Sequence, residues 1–413
     1  MLQHISVQIA IVGAGVVGLT VAEALVAEGH EVVLIDPNPP GSGASYGNAG
    51  TIADYAVQPV GTPSVLRGLP SLLFNRNSPL AIRPGALPSL MPWLTRFGLQ
   101  SMPWAARRNA VALAGLLAGA TPLWRDLAGA VGGMDLFVER GCLYIYETAA
   151  AFRAAEKDMA QRRALGVEVA LITPDALAAL EPEFPPVAGG AAFFPKAAFL
   201  TDPGAMVERL RLATMQHAGF LSGKVDKLTR QIDGLILEGA GFRLHARQVI
   251  LATGAHGRDL AAMAGDVVPL ETERGYHVEW DMPEPALNRP CCPTSRGFYF
   301  CPMQGRLRVA GTVELGGLTA PPSLHRIERL IEGAQSFFPM LGEPDRTWMG
   351  FRPSMPDSLP VIGPSKGGVD VIHAFGHGHI GLTLAPITAR IVADLVAGRV
   401  PERDITPFRA NRF

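Results

Sequence analysis

The chain has 413 residues, room for two or three domains. Its 36 Lys and Arg nearly cancel 37 Asp and Glu, which argues against a nucleic-acid binder, and 48% apolar content argues against extended disorder. Glycine and proline are in excess, 46 and 35 residues, about a fifth of the chain against an average nearer 12%.

In chain order, the pattern first predicts a buried strand over 7–12, a glycine turn, a helix over 19–28 and a second strand over 31–35 ending at Asp36. Residues 41–50 are Gly, Ser, Ala and Asn and form no regular element. Residues 60–105 are rich in Pro and Leu, and a helix over 109–127 is expected to be kinked or divided at Pro122. A strand over 143–146 and a helix over 150–165 follow. Two helices open in one grammar, Thr173-Pro174 and Asp202-Pro203, a cap and then a proline at the first helical position. Strands are predicted near 224–228, 234–237, 248–252, 275–281 and 298–313, and a helix over 320–339. A proline-studded loop over 351–364, a strand over 369–375 and a helix over 380–397 close the chain. No signal peptide, convincing transmembrane stretch, internal repeat or zinc-type cysteine spacing is apparent, so the default location is cytoplasmic.

Four features carry chemistry. Gly13-x-Gly15-x-x-Gly18 with Asp36 has strand, turn, helix and acid in the order of a dinucleotide site; Val16 and Val17 complete the turn. A second GxGxxG spans residues 376–381, too near the end for another βαβ domain, and reads better as a turn that aims a helix N-terminus at a flat cofactor. His373, His377 and His379 are close in sequence without an acidic or cysteine partner, so no metal is expected. Arg352, framed by prolines, can hold a carboxylate with both nitrogens or pair with a nearby Asp. Tyr276, His277 and Tyr299 sit on strands, either as ordinary packing or as groups facing the substrate, with His277 a candidate proton acceptor.

Taken together, GAGVVG with Asp36, GASYGNAG over 43–50, Ala252-Thr253-Gly254, the Arg352 segment and GHGHIGLT over 376–383 resemble the D-amino-acid oxidase superfamily of FAD enzymes, most closely its bacterial D-amino-acid dehydrogenases. The resemblance implies an α/β (α+β) fold: a Rossmann-like FAD domain assembled from 1–59, 200–266 and 345–413, and a substrate domain from 60–199 and 267–344 with a mainly antiparallel sheet. It places Gly13, Gly15 and Gly18 at the pyrophosphate and Asp36 at the ribose. Ser45, Asn48, Ala49 and Gly50 fall along the ribityl chain and flavin, and Val225 by the adenine. Gly254, Gly378, His379, Ile380, Gly381, Leu382 and Thr383 complete a non-covalent FAD site. Arg352 matches the substrate-carboxylate arginine.

The activity so implied is oxidative deamination of D-amino or proline-like cyclic imino acids, by hydride transfer from Cα to flavin N5. Electrons would pass to quinone or another non-oxygen acceptor. The alternatives are a glycine- or sarcosine-type oxidase using O2, and a non-catalytic flavin-binding subunit. Residues 60–127 are a candidate contact with the inner face of a bacterial membrane.

Overall fold

Strands of two kinds build two separate large sheets in the computed structural model, which describes residues 3–74, 78 and 80–413. The first sheet begins as predicted. Strand Gln3–Val12 feeds helix Val16–Ala27, which returns into the parallel strand Val32–Asp36. Strand Phe242–Leu251 lies parallel on the other side of Gln3–Val12, and Gly219–Ser222 beyond Val32–Asp36. The ten-residue Phe242–Leu251 strand then serves two neighbours. Its first half takes the hairpin Lys227–Gln231 and Gly234–Gly239, and its last residues pair parallel with Gly368–Phe375. The chain therefore returns to this sheet from far apart in sequence. Helix Gly381–Val396 packs on the first helix, with Leu382, Ala385, Ala389 and Val392 against Leu19, Ala22 and Leu25 in one apolar cluster. This closing helix is long and apolar enough to cross a membrane, but two-thirds of that stretch is buried inside the protein, the mark of a core helix.

The second sheet runs Arg346–Ser354, Glu271–Asp281, Arg306–Leu315, Phe298–Met303, Cys291–Pro293, Cys142–Tyr146, Gly190–Phe194, Ala170–Ile172, and is mainly antiparallel. A small three-stranded sheet, Thr51–Ile52, Ala198–Leu200 and Phe137–Val138, lies beside these two.

Three expectations are corrected. Residues 351–364 are a loop only over 355–360: Arg346–Ser354 and Val361–Ser365 are strands. Both lie at sheet edges, where a proline's missing N–H breaks no ladder bond. The same pairing, Glu271↔Ser354 through Glu279↔Arg346, puts residues 346–354 in the second sheet, although the sequence reading grouped them with the nucleotide domain. Helix 109–127 is divided, but not at Pro122. Helix Pro103–Leu117 ends before Gly119, which takes φ +77, and Pro122 sits harmlessly in the first turn of Ala120–Ala130.

Candidate active site

At the carboxyl end of the first sheet the glycines are forced by contact. A Cβ on Gly13 would stand 2.4 Å from Ala252 O, and one on Gly18 would stand 1.9 Å from Gly13 O. Gly15 differs, since its Cβ would meet only Ser45 Oγ at 3.4 Å, leaving that side of the turn open. The helix that follows has no side-chain bond from its cap residue and no acid in its first turn. Asp36 is fixed at the strand end by accepting from Ala14 N and Asn38 N, both at 2.9 Å. Two hydroxyls, Thr51 Oγ1 and Thr253 Oγ1, are buried without a partner among the described residues. The open turn at Gly15 and the helix N-terminus behind it, which carries no acid, form the cradle a dinucleotide cofactor requires.

The closing helix repeats the device. Gly376 and Gly378 take φ +79 and +56, and helix Gly381–Val396 starts without a side-chain cap or an acid. Thr383 Oγ1 accepts from Ala53 N at 3.0 Å, which pins this helix to the chain leaving the 41–50 loop, and Leu382 O accepts from Trp124 Nε1 of helix Ala120–Ala130 at 2.8 Å. Ile380 is buried. His379 is exposed, and crowding by neighbouring atoms together with the Arg352 charge lowers it from its ordinary range. His373 bonds Asp266 at 2.8 Å and His377 bonds Thr388 at 3.0 Å, so each ring has a structural partner.

The loop between the two sheets is gripped from both sides. Ser45, expected beside the ribityl chain, lies against the Gly15 turn and accepts from Val16 N at 2.9 Å. Asn48 Oδ1 accepts from Gly50 N at 2.8 Å, folding the turn that carries Ala49. From the second sheet, His277 Nδ1 donates to Gly47 O at 3.0 Å and Arg308 donates to Asn48 O. Trp348 stacks on His277 at 5.0 Å and fills the space a Cβ on Gly47 would need. Val225 is buried just past Ser222, next to the end of the Asp36 strand. Gly254, at φ +53, has open space before it.

On the second sheet, register decides which candidates meet. Arg352 lies directly opposite Glu273, so alternation puts Glu273, Gly275 and His277 on the face of Arg352 and Tyr276 on the other. The Arg352 guanidinium lies flat over Gly275, where an added Cβ would come within 2.3 Å of Cζ, and Nη1 donates to Thr312 O at 2.9 Å. Burial pulls Arg352 down from its ordinary range, and the Glu273 charge opposes that. The alternative of a neighbouring Asp for Arg352 is removed, because Asp357 pairs with Arg412 at 2.7 Å.

Two candidates are corrected here. Tyr276 is core: its hydroxyl donates to Glu314 at 2.6 Å and accepts from Ser323 N at 3.1 Å, behind the sheet. His277 is no proton acceptor, because its ring is 2% exposed, bonded to backbone, and pushed by burial and Arg308 to about 4. Tyr299 remains on the Arg352 face, half-buried, with its hydroxyl 3.1 Å from that of Tyr144.

The family model described as FAD dependent oxidoreductase, DAO, matches residues 8–395. The chain belongs to this family. A relative from Bradyrhizobium diazoefficiens named D-amino-acid oxidase is 36% identical, covering 98% of this chain and 98% of its own. One from Ralstonia nicotianae named D-amino acid dehydrogenase 2 is 30% identical, covering 98% and 100%. Among solved structures, glycine oxidase from Geobacillus kaustophilus superposes with a TM-score of 0.78 at 23% identity over 99% of each chain. L-proline dehydrogenase from P. horikoshii gives 0.75 at 19% identity over 100% and 98%. The chain is thus an FAD-dependent amino-acid oxidoreductase, and the cradle at residues 13–18, with its open Gly15 side, fits that cofactor.

Four residues of this DAO-family site escape sequence reading. Tyr144, Trp348, Arg308 and Glu279 all act across strands. Glu279 is 3% exposed and accepts from Arg306, Arg308 and Arg346 at 3.0, 2.7 and 3.1 Å, which holds its carboxyl down at about 2. Charged residues at alternate positions 306 and 308, opening a strand that is apolar from Val309 to Gly311, were the signal, and they do not reveal their partners.

Proposed function

We propose that the protein oxidises D-amino acids to imino acids, proline-like cyclic substrates included, and that Arg352 receives the substrate carboxylate. The observation that carries this reading is the Arg352 guanidinium laid flat over Gly275 and tied to Thr312 O, a rigid cation on the face shared with Tyr299. Bound FAD supplies the two-electron acceptor for the Cα hydrogen. The chain's own work is to fix the carboxylate, hold the loop 41–50 in place and keep water out, so orientation and a prepared field carry the catalysis. A non-catalytic subunit would have no use for such an arginine.

For the acceptor we propose a membrane quinone. From Tyr55 to Arg125 the sequence contains seven Arg and no Lys, Asp or Glu. Within it, Met91, Leu99, Met102, Trp104 and Val111 are exposed apolar side chains on adjacent helices. Arg83 and Arg125 are paired with Glu314 and Glu139, but Arg96, Arg107 and Arg108 are exposed beside these apolar side chains, a combination that suits the inner surface of an anionic membrane. The relative named D-amino-acid oxidase favours a second reading, in which O2 takes the electrons.

Anaerobic mixing of the holoenzyme with D- and L-amino acids, D-proline, 4-hydroxy-D-proline, glycine and sarcosine tests the substrate. Bleaching by D-amino acids is expected, and no bleaching by any of the panel refutes the reading. Reoxidation by O2 against a short-chain quinone then separates the acceptors, with hydrogen peroxide the mark of the second.

A further inference from the structure

The amino acid arrives as a zwitterion, and its ammonium must lose a proton before a hydride can leave Cα. His277, the only candidate base in the sequence reading, is excluded by its position. Another carboxyl is in place. Glu273 is 6% exposed and is the direct cross-strand neighbour of Arg352 on the same face. Arg352 donates to Thr312 O and forms no ion pair with Glu273 within 4.0 Å, so the two charges meet through space. Glu273 also lines a cleft of about 10 Å³, room for one water, whose other polar members are Gln58, Ser354, Ser358, His377 and His379.

The surroundings leave Arg352 as the cation that faces Glu273. Its own strand adds Glu271 two residues before, and the opposing strand places Leu315 there, with Glu314 turned away to Arg274. The 376–380 turn adds His377, which burial holds at about 3, and His379, which crowding and the Arg352 charge lower, so both are uncharged at neutral pH. The remaining wall is Ala56, Val60, Phe97 and Leu113, without charge.

We propose that Glu273 is the proton acceptor for the substrate amine and that docking of the substrate carboxylate on Arg352 switches it on. Burial pushes Glu273 up and the Arg352 charge opposes that, so in the resting site Arg352 is the group that favours the Glu273 carboxylate. A second carboxylate on Arg352 cancels that effect and leaves Glu273 a buried, uncompensated anion, which then seeks a proton. The nearest source is the substrate ammonium: an N–H bond breaks, its electron pair stays on nitrogen, and an O–H bond forms on Glu273. Net charge in the site is unchanged, and the amine is left neutral. When the product leaves, Arg352 is again unpaired and Glu273 releases the proton toward the cleft. The inference rests on the carboxylate role of Arg352.

The test uses holoenzyme and propionate, a carboxylate without an amine, in weakly buffered solution at about pH 8 with an indicator dye. Wild type should take up about one proton per propionate bound, and Glu273→Gln should take up none while still binding. Glu273→Asp, which keeps the carboxyl, should restore uptake. With a D-amino acid, Glu273→Gln should reduce its flavin at a rate that follows the free amine, rising about tenfold per pH unit between about pH 6 and 8, while wild type is flat. A purely structural role would lower the rate and leave the profile flat. No uptake in wild type, or uptake unchanged in Glu273→Gln, overturns the proposal alone if Arg352→Ala has lost propionate binding. Propionate binding that survives Arg352→Ala overturns the carboxylate reading, and the proposal with it.

Discussion

Gly275→Ala separates the positioning of Arg352 from its presence. Gly275 lies where the ladder to Arg306–Leu315 shifts register but does not take a positive φ, so alanine introduces no left-handed strain there. The new Cβ, however, would stand 2.3 Å from Cζ, 2.4 Å from Nη2 and 2.5 Å from Nη1 of Arg352. Ordinary contact begins near 3.4 Å, so the guanidinium must move by about 1 Å, a displacement that typically costs about 100-fold where groups are aligned for reaction. It moves readily, being the far end of a flexible side chain, so the fold should survive. What is lost is the bond to Thr312 O and the planar presentation of the fork, together worth about 2–3 kcal/mol. Steady-state kinetics with the best D-amino acid should show KM raised by about 30- to 150-fold, with thermal midpoint and flavin content near wild type. An unchanged KM would refute the claim that Arg352 works from its place over Gly275.

Gly15→Ala should fold normally, since its Cβ meets only Ser45 Oγ at 3.4 Å, yet raise the FAD dissociation constant by about tenfold or more; equilibrium titration of apoprotein checks this, and unaltered affinity removes Gly15 from the cofactor cradle. Arg308→Met should destabilise by about 3 kcal/mol in denaturant unfolding, because it frees the 41–50 loop and strips one cation from buried Glu279, leaving Arg306 and Arg346. Acid should weaken the fold early. His277 and His377 are held at about 4 and about 3, below the 6.5 of an unfolded chain, so the unfolded state binds more protons as pH falls below 6.5. Stability from these two rings is therefore complete above pH 6.5 and declines toward pH 4, by at most about 1.4 kcal/mol per pH unit for each. Urea midpoints at pH 7, 6 and 5 should show this slope, flattened in the His277→Asn, His377→Asn double variant; an equal slope there assigns it to other groups.

The nucleotide end was legible because its constraints are local. Gly13, Gly15 and Gly18 serve one turn, and Asp36 ends the next strand, all within 24 residues. Helix starts at Thr173-Pro174 and Asp202-Pro203 were legible for the same reason, and both caps accept their backbone N–H as expected. The substrate side was not. Whether Tyr276 or Glu273 faces Arg352 depends on the pairing of strands about 80 residues apart, which alternation alone does not supply. Prolines misled at 351–364 because proline at a sheet edge and proline in a loop look alike in sequence. Gly119 was overlooked beside Pro122, although a left-handed glycine ends a helix more decisively than a proline in a first turn.

The loop 41–50 has a bearing on how the enzyme matures. Ser45 ties it to the first helix, while His277 and Arg308 tie it to the second sheet. A chain emerging from synthesis would have the Gly13–Gly18 turn early, but the ties that steady the loop come from residues 277 and 308, more than 250 residues later. Firm cofactor capture therefore waits for the second sheet, and a nascent or truncated chain lacking that sheet would carry the dinucleotide motif without the ties that steady its loop.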